Sequence, residues 1–142
     1  MSELIVLALI PLLAKSLSRK SLLAIGLIAY AARMALFAYT DSLQTVLLGV
    51  ALHGVCFGCF IFVAFMVVDE ETTPDVRASA QNLFNLVIIG IGIIVGSYVA
   101  TAVVGKWATG ADGILDYTKL FSVPMWASLF CLALLLALYP NR

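Results

Sequence analysis

Four long apolar stretches, residues 21–39, 43–68, 78–105 and 118–139, constrain this chain more than any motif does. A helix rises ~1.5 Å per residue, so about 20 apolar residues cross the ~30 Å of hydrocarbon in a bilayer. Each stretch reaches or approaches that length. Composition agrees: 63% of the residues are hydrophobic and 11% are charged. A soluble domain is about half apolar and about a quarter charged. A water-soluble fold of 142 residues has no means of hiding so much apolar surface. The expected fold class is therefore all-α, a polytopic membrane helix bundle forming a single transmembrane domain.

A fifth apolar stretch, residues 4–14, is shorter. It covers about 16 Å, half a bilayer. It runs into Lys15, Arg19 and Lys20, an ordinary exit from the membrane. The expectation is a partial span over residues 1–15, in a chain that opens in the middle of a helix. An interfacial helix is the alternative, but this stretch lacks a polar face. Glu3 stands where a secretory leader carries basic residues, so no leader is expected.

Basic residues in short loops set orientation. With the first basic loop inside, Lys15, Arg19, Lys20, Arg77 and Arg142 collect on the cytoplasmic side, against Lys106 and Lys119 outside. The expected location is the cytoplasmic (inner) membrane. Net charge is zero and no basic run points to nucleic acid.

Cys56 and Cys59 form a C-x-x-C, and Cys131 stands apart. All three lie in apolar stretches, without a second ligand pair or a strand–helix context. Small residues packing helices is the reading favoured over a metal or redox site.

Ionisable groups are costly in hydrocarbon and tend to face a cavity or each other. Glu3 lies 12 residues before Lys15, and Arg33 lies 13 after Lys20. Both positions fall roughly 18–20 Å from the cytoplasmic loop. His53 falls about 18 Å below Asp41. All three are near the midplane, where secondary transporters bind substrate and ions. A carboxylate in low dielectric suits proton coupling, which makes Glu3 the candidate acid; the competing reading puts it in water at a frayed end. Arg33 stays charged, and either pairs with Glu3 or organises polar groups between helices.

His53 and Phe57 are four residues apart and share a helix face. An imidazole bonds a polar ligand edge and a phenyl ring stacks on a planar one, so both are candidate substrate contacts. A structural role for the histidine is the alternative. Gln81 and Asn85 share a face at i, i+4 and are expected to support a polar network between helices or to line a cavity. Gly92-x-x-x-Gly96-x-x-x-Ala100, and Gly54-x-x-x-Gly58, read as close-packing seams. Gly90-Ile91-Gly92 lies inside an apolar helix, so it is not a dinucleotide loop. No hydrolase, kinase or metal-enzyme motif is present in the sequence. Neither an enzyme activity, a metal nor a cofactor is expected.

Four patches carry a family resemblance. They are Ser2-Glu3 entering an apolar run with Pro11; Ala32-Arg33-Met34-Ala35-Leu36-Phe37-Ala38-Tyr39; His53-Gly54-Val55-Cys56-Phe57; and Val68-Asp69-Glu70 followed by Arg77-Ala78-Ser79-Ala80-Gln81-Asn82-Leu83-Phe84. In order and spacing the chain resembles the last five helices of the nucleoside:proton symporters, a branch of the major facilitator superfamily. The resemblance implies helices eight to twelve of a twelve-helix fold, part of its C-terminal half, with the N-terminal half missing. It implies proton coupling at Glu3 and nucleoside binding at Phe57 and His53. Relatives often have Tyr at the His53 position and an acid at that of Gly58.

The function so implied is proton-coupled nucleoside transport by a C-terminal fragment not competent alone. Its partners are a nucleoside, a proton, the bilayer and the missing half. A transporter of another polar metabolite such as a sugar, and a small non-transporting membrane scaffold, remain alternatives.

Overall fold

A computed structural model describes residue 8 and residues 16–139. The expected span over residues 1–15 lies outside the described residues, apart from residue 8. Among the described residues, four helices are long and apolar enough to cross a membrane: α1 (Arg19–Tyr39), α2 (Leu43–Glu71), α3 (Arg77–Ala108) and α4 (Tyr117–Leu138). Helices are what such sequences must form in lipid, because each backbone N–H and C=O finds its partner within its own segment.

Helix α2 continues through Asp69 and Glu70 to Glu71, past residue 68, where its apolar run stops. The limit of the hydrocarbon does not limit backbone hydrogen bonding, so a helix runs on into the polar interface. Acidic groups at a helix C-terminus oppose the helix dipole. Arg77 offsets this at Asp69, with Nε 2.9 Å from its Oδ1.

The ends are set locally. Ser18 caps α1, its Oγ accepting from the Ser21 N–H at 3.2 Å. Thr40 closes it, its backbone N–H and its hydroxyl both donating to the Leu36 carbonyl. After α2, the Thr73 carbonyl accepts from Val76 and Arg77 and starts α3. Asp75 sits exposed in this turn; the Thr73 hydroxyl, then its own and the Val76 backbone N–H, hold its carboxyl below the usual carboxylate range.

The chain folds as two compact units, residues 1–63 with 117–142, and residues 64–116. In the first, α1 packs along α4. Leu22, Met34, Ala38, Cys56, Cys59, Val63 and Met125 are buried there. Small residues let α1 and α2 approach: a Cβ on Gly26 would stand 3.1 Å from the Cys59 Cβ. Gly54 and Gly58 are buried too. Lys20 Nζ donates to the Leu136 carbonyl at 3.0 Å, and the Thr118 hydroxyl to that of Ala38 at 2.9 Å, tying α1 to α4 near both ends. Pro124 lies inside α4, where it removes one helix hydrogen bond.

In the second unit, α3 alternates α-helical and wider π turns, the latter at Leu86–Ile91 and Val99–Gly105. The Gly92 N–H bonds the Val87 carbonyl five residues back. Phe65 and Phe84 meet edge to face, centroids 6.0 Å apart. Before Ala108, no described residue of α3 is buried. The glycine seam has no described neighbour: Gly96 has open space within 4 Å, and Gly92 faces only the Val87 carbonyl of its own helix. The connection to α4 is a tight turn in which Gly110 bonds Ile114 and Gly113 bonds Gly110. Gly113 has φ 77°, a left-handed conformation that glycine adopts without strain.

Candidate functional site

The first unit brings together two of the ionisable groups that sequence places at mid-helix. Arg33 on α1 and His53 on α2 face each other, with Nη1 3.0 Å from Nδ1. The pair is partly buried. A cation at this depth is costly unless its charge is met by polar or aromatic groups. Here the imidazole meets one edge of the guanidinium. The Phe37 ring meets its face, its centroid 5.3 Å from Cζ. Such cation–π contacts contribute about 2 kcal/mol when desolvated.

His53 and Phe57 are one turn apart on α2, their rings 5.9 Å apart and tilted by 38°. Phe57 is 40% exposed while its neighbours Cys56 and Gly58 are buried. The backbone is thus fixed and the ring available. Together these groups present a polar imidazole edge beside an accessible aromatic face.

Phe37 extends the cluster to α4. Its ring lies 5.5 Å from that of Phe121, which stacks on Tyr117 at 6.3 Å. A Cβ on Gly49 would lie 2.5 Å from Phe37 Cε1, so only glycine leaves room for that ring. Phe37, Phe121 and Gly49 were not site candidates by sequence. The signal for Phe37 is its i, i+4 spacing from Arg33; the others are apolar residues among many.

One donor of the guanidinium stands out. Arg33 Nε is buried and finds no hydrogen-bond acceptor among the described residues. A buried polar group without a partner costs about 1–3 kcal/mol. Glu3 lies outside the described residues. In the second unit, Gln81 and Asn85 lie on the opening helical turns of α3. Asn85 Oδ1 is buried and has no donor among the described residues. Cys56, Cys59 and Cys131 are free thiols, the first two buried. Among the described residues no cluster of three or more His, Cys, Asp or Glu is arranged to hold a metal.

Long apolar helices with a partly buried arginine–histidine pair at mid-helix are those of a multi-pass membrane protein. The chain belongs to the nucleoside H+ symporter family, whose model matches residues 1–142. It is 32% identical over 126 residues to the nucleoside permease NupG of Escherichia coli (strain K12), covering 86% of this chain and 30% of that protein. It is 29% identical over 134 residues to the xanthosine permease of the same organism, covering 92% and 32%. The fold matches the crystal structure of the nucleoside transporter NupG (D323A mutant) with a TM-score of 0.87 and 27% identity, covering 98% of this chain and 35% of that one. The architecture is accordingly that of a major-facilitator transporter. The chain spans about a third of the length of the relatives it matches.

Proposed function

We propose that this chain forms the C-terminal helices of a proton-coupled nucleoside transporter of the cytoplasmic (inner) membrane. The observation that carries the reading is the Arg33–His53–Phe57 constellation at mid-helix, in a chain that the symporter family model matches throughout. Phe57 stacks on the base, and His53 bonds a polar edge of the nucleoside. Glu3 takes and releases the proton.

Arg33 organises the polar groups. Its buried Nε–H calls for an acceptor. A carboxylate is the natural one, and, counted at ~1.5 Å per residue from the Lys15–Lys20 loop, a helical Glu3 would fall at the depth of Arg33. Gln81 and Asn85 support a polar network, a role that the buried Asn85 oxygen favours.

Transporters of this kind rock one half against the other around a midplane site. A chain spanning 30–35% of its relatives' length holds less than one half. Transport then needs the remaining helices, and the 142 residues alone are not competent.

The test is uptake of labelled uridine, driven by an imposed pH gradient, in vesicles. The longer transporter containing this segment is expected to accumulate uridine, and the isolated chain is not. Glu3→Gln in the longer transporter is expected to abolish accumulation while leaving the folded protein in the membrane. Unchanged accumulation by that variant overturns the coupling role. Competition by xanthosine and by a hexose measures cargo class; a hexose competing better than any nucleoside overturns the nucleoside assignment.

A further inference from the structure

We propose that Arg33 is a positioning residue that fixes His53 as its Nε2–H tautomer, so that the imidazole meets its ligand as a hydrogen-bond donor. The inference rests on the reading of His53 as a nucleoside contact and adds to it the polarity of that contact.

A guanidinium has five N–H donors and no acceptor. Arg33 Nη1 stands 3.0 Å from His53 Nδ1, an ordinary hydrogen-bond length. Nδ1 must therefore present its lone pair. A neutral imidazole carries one N–H, which then sits on Nε2. The other tautomer would press two donors together at 3.0 Å. Arg33 is itself held in place, its guanidinium lying over the Phe37 ring. That ring is confined in turn by Gly49 and Phe121. The tautomer is thus set by α1 and imposed on α2.

The consequence is chemical. A ligand atom that meets Nε2 must be an acceptor: a base carbonyl, a ring nitrogen with its lone pair, or a sugar oxygen. An exocyclic amino group at the same place would meet a second donor. Sites that hydrogen-bond their substrate reject a mismatched group strongly, because the buried polar atoms are left unpaired.

The chain has one histidine, so histidine labelled with nitrogen-15 reports this imidazole alone. In the full chain reconstituted in lipid, Nδ1 is expected to give an imine-type nitrogen resonance and Nε2 a pyrrole-type one. A pyrrole-type Nδ1 overturns the proposal. Arg33→Met is expected to let the other tautomer appear, and Arg33→Lys, which keeps a donor, to restore the wild-type pattern. A folded Arg33→Met chain with unchanged tautomer overturns the role of Arg33. Should that variant not fold, the wild-type chain labelled at arginine and histidine decides. A coupling across the hydrogen bond from the guanidinium to Nδ1 is expected, and its absence overturns the proposal. A separate arm tests the ligand contact. In the longer transporter, His53→Leu is expected to raise KM for uridine about tenfold, and His53→Gln, which keeps an N–H, to raise it less. If His53→Leu leaves KM unchanged while the tautomer is as stated, the nucleoside contact falls and the positioning by Arg33 stands.

Discussion

Arg33 Nη1 lies 3.0 Å from His53 Nδ1, joining α1 to α2 through one hydrogen bond between a permanent cation and a ring nitrogen. Neither side chain suits an apolar membrane helix by its polarity. Each is tolerated at mid-helix because the other meets it. The cation side is completed by Phe37, so the pair belongs to a cluster that also reaches α4 through Phe121.

That coupling is measurable. Interhelical hydrogen bonds in membrane proteins contribute about 0.6 kcal/mol on average and about 1.7 at most, less than isolation in hydrocarbon suggests. A double-mutant cycle over Arg33→Ala and His53→Ala, read by reversible unfolding in detergent, is expected to give a coupling energy in that range. Strict additivity of the two single variants would mean that the bond contributes nothing to stability.

Gly49 gives a steric prediction. A Cβ there would lie 2.5 Å from Phe37 Cε1 and 2.9 Å from Cζ. Alanine has no χ angle with which to avoid this, so the Phe37 ring must shift from its place beside Arg33 and Phe121. Overpacking of this kind costs typically 1–3 kcal/mol. Gly49→Ala is expected to lower stability by about that amount. Gly96→Ala, at a position with open space, is expected to change stability much less. Comparing the two unfolding midpoints checks the claim.

The helices were legible because a run of about 20 apolar residues has few other solutions in lipid. Arg33, His53, Phe57, Gln81 and Asn85 could each be placed on a helix by counting residues. Which of them meet could not be counted. The Arg33–His53 bond depends on how α1 and α2 rotate about their axes, and that depends on packing at small residues such as Gly26 and Gly49. The π turns of α3 were not legible either, since Leu86–Ile91 and Val99–Gly105 read as uninterrupted apolar helix. The contribution of α4 was illegible for another reason: Phe121 has no local mark that separates it from residues facing lipid.

The turn between α2 and α3 carries a pH-dependent group outside the membrane. The Thr73 hydroxyl is the first cause of the lowered Asp75 carboxyl, with backbone N–H groups adding to it. A lowered folded-state value means the bonds help the turn above the unfolded value of about 3.9, and that help is lost as pH falls through the lower folded value. The carboxylate is fully exposed, so the effect is local. Thr73→Ala is expected to move the Asp75 titration upward, towards the ordinary carboxylate range, as followed by its carboxyl resonance. An unmoved titration would assign the shift to the backbone donors alone.

Phe57 carries the last prediction. Its ring is 40% exposed on a helix turn whose neighbours are buried, so truncating it removes an accessible face without opening the core. Stacking of a base on an aromatic side chain contributes about 1–3 kcal/mol by alanine substitution. With ~1.4 kcal/mol per factor of ten, Phe57→Ala in the longer transporter is expected to raise KM for uridine roughly 5- to 150-fold. Phe57→Tyr keeps the face and is expected to stay within a few-fold of wild type. Phe57→Leu keeps apolar bulk without a π face, so it separates stacking from simple burial. If Leu supports uptake as well as Tyr does, the ring fills space rather than holding a base. Uptake measured across uridine concentrations, at fixed pH gradient and matched protein in the membrane, reads all three variants on one scale.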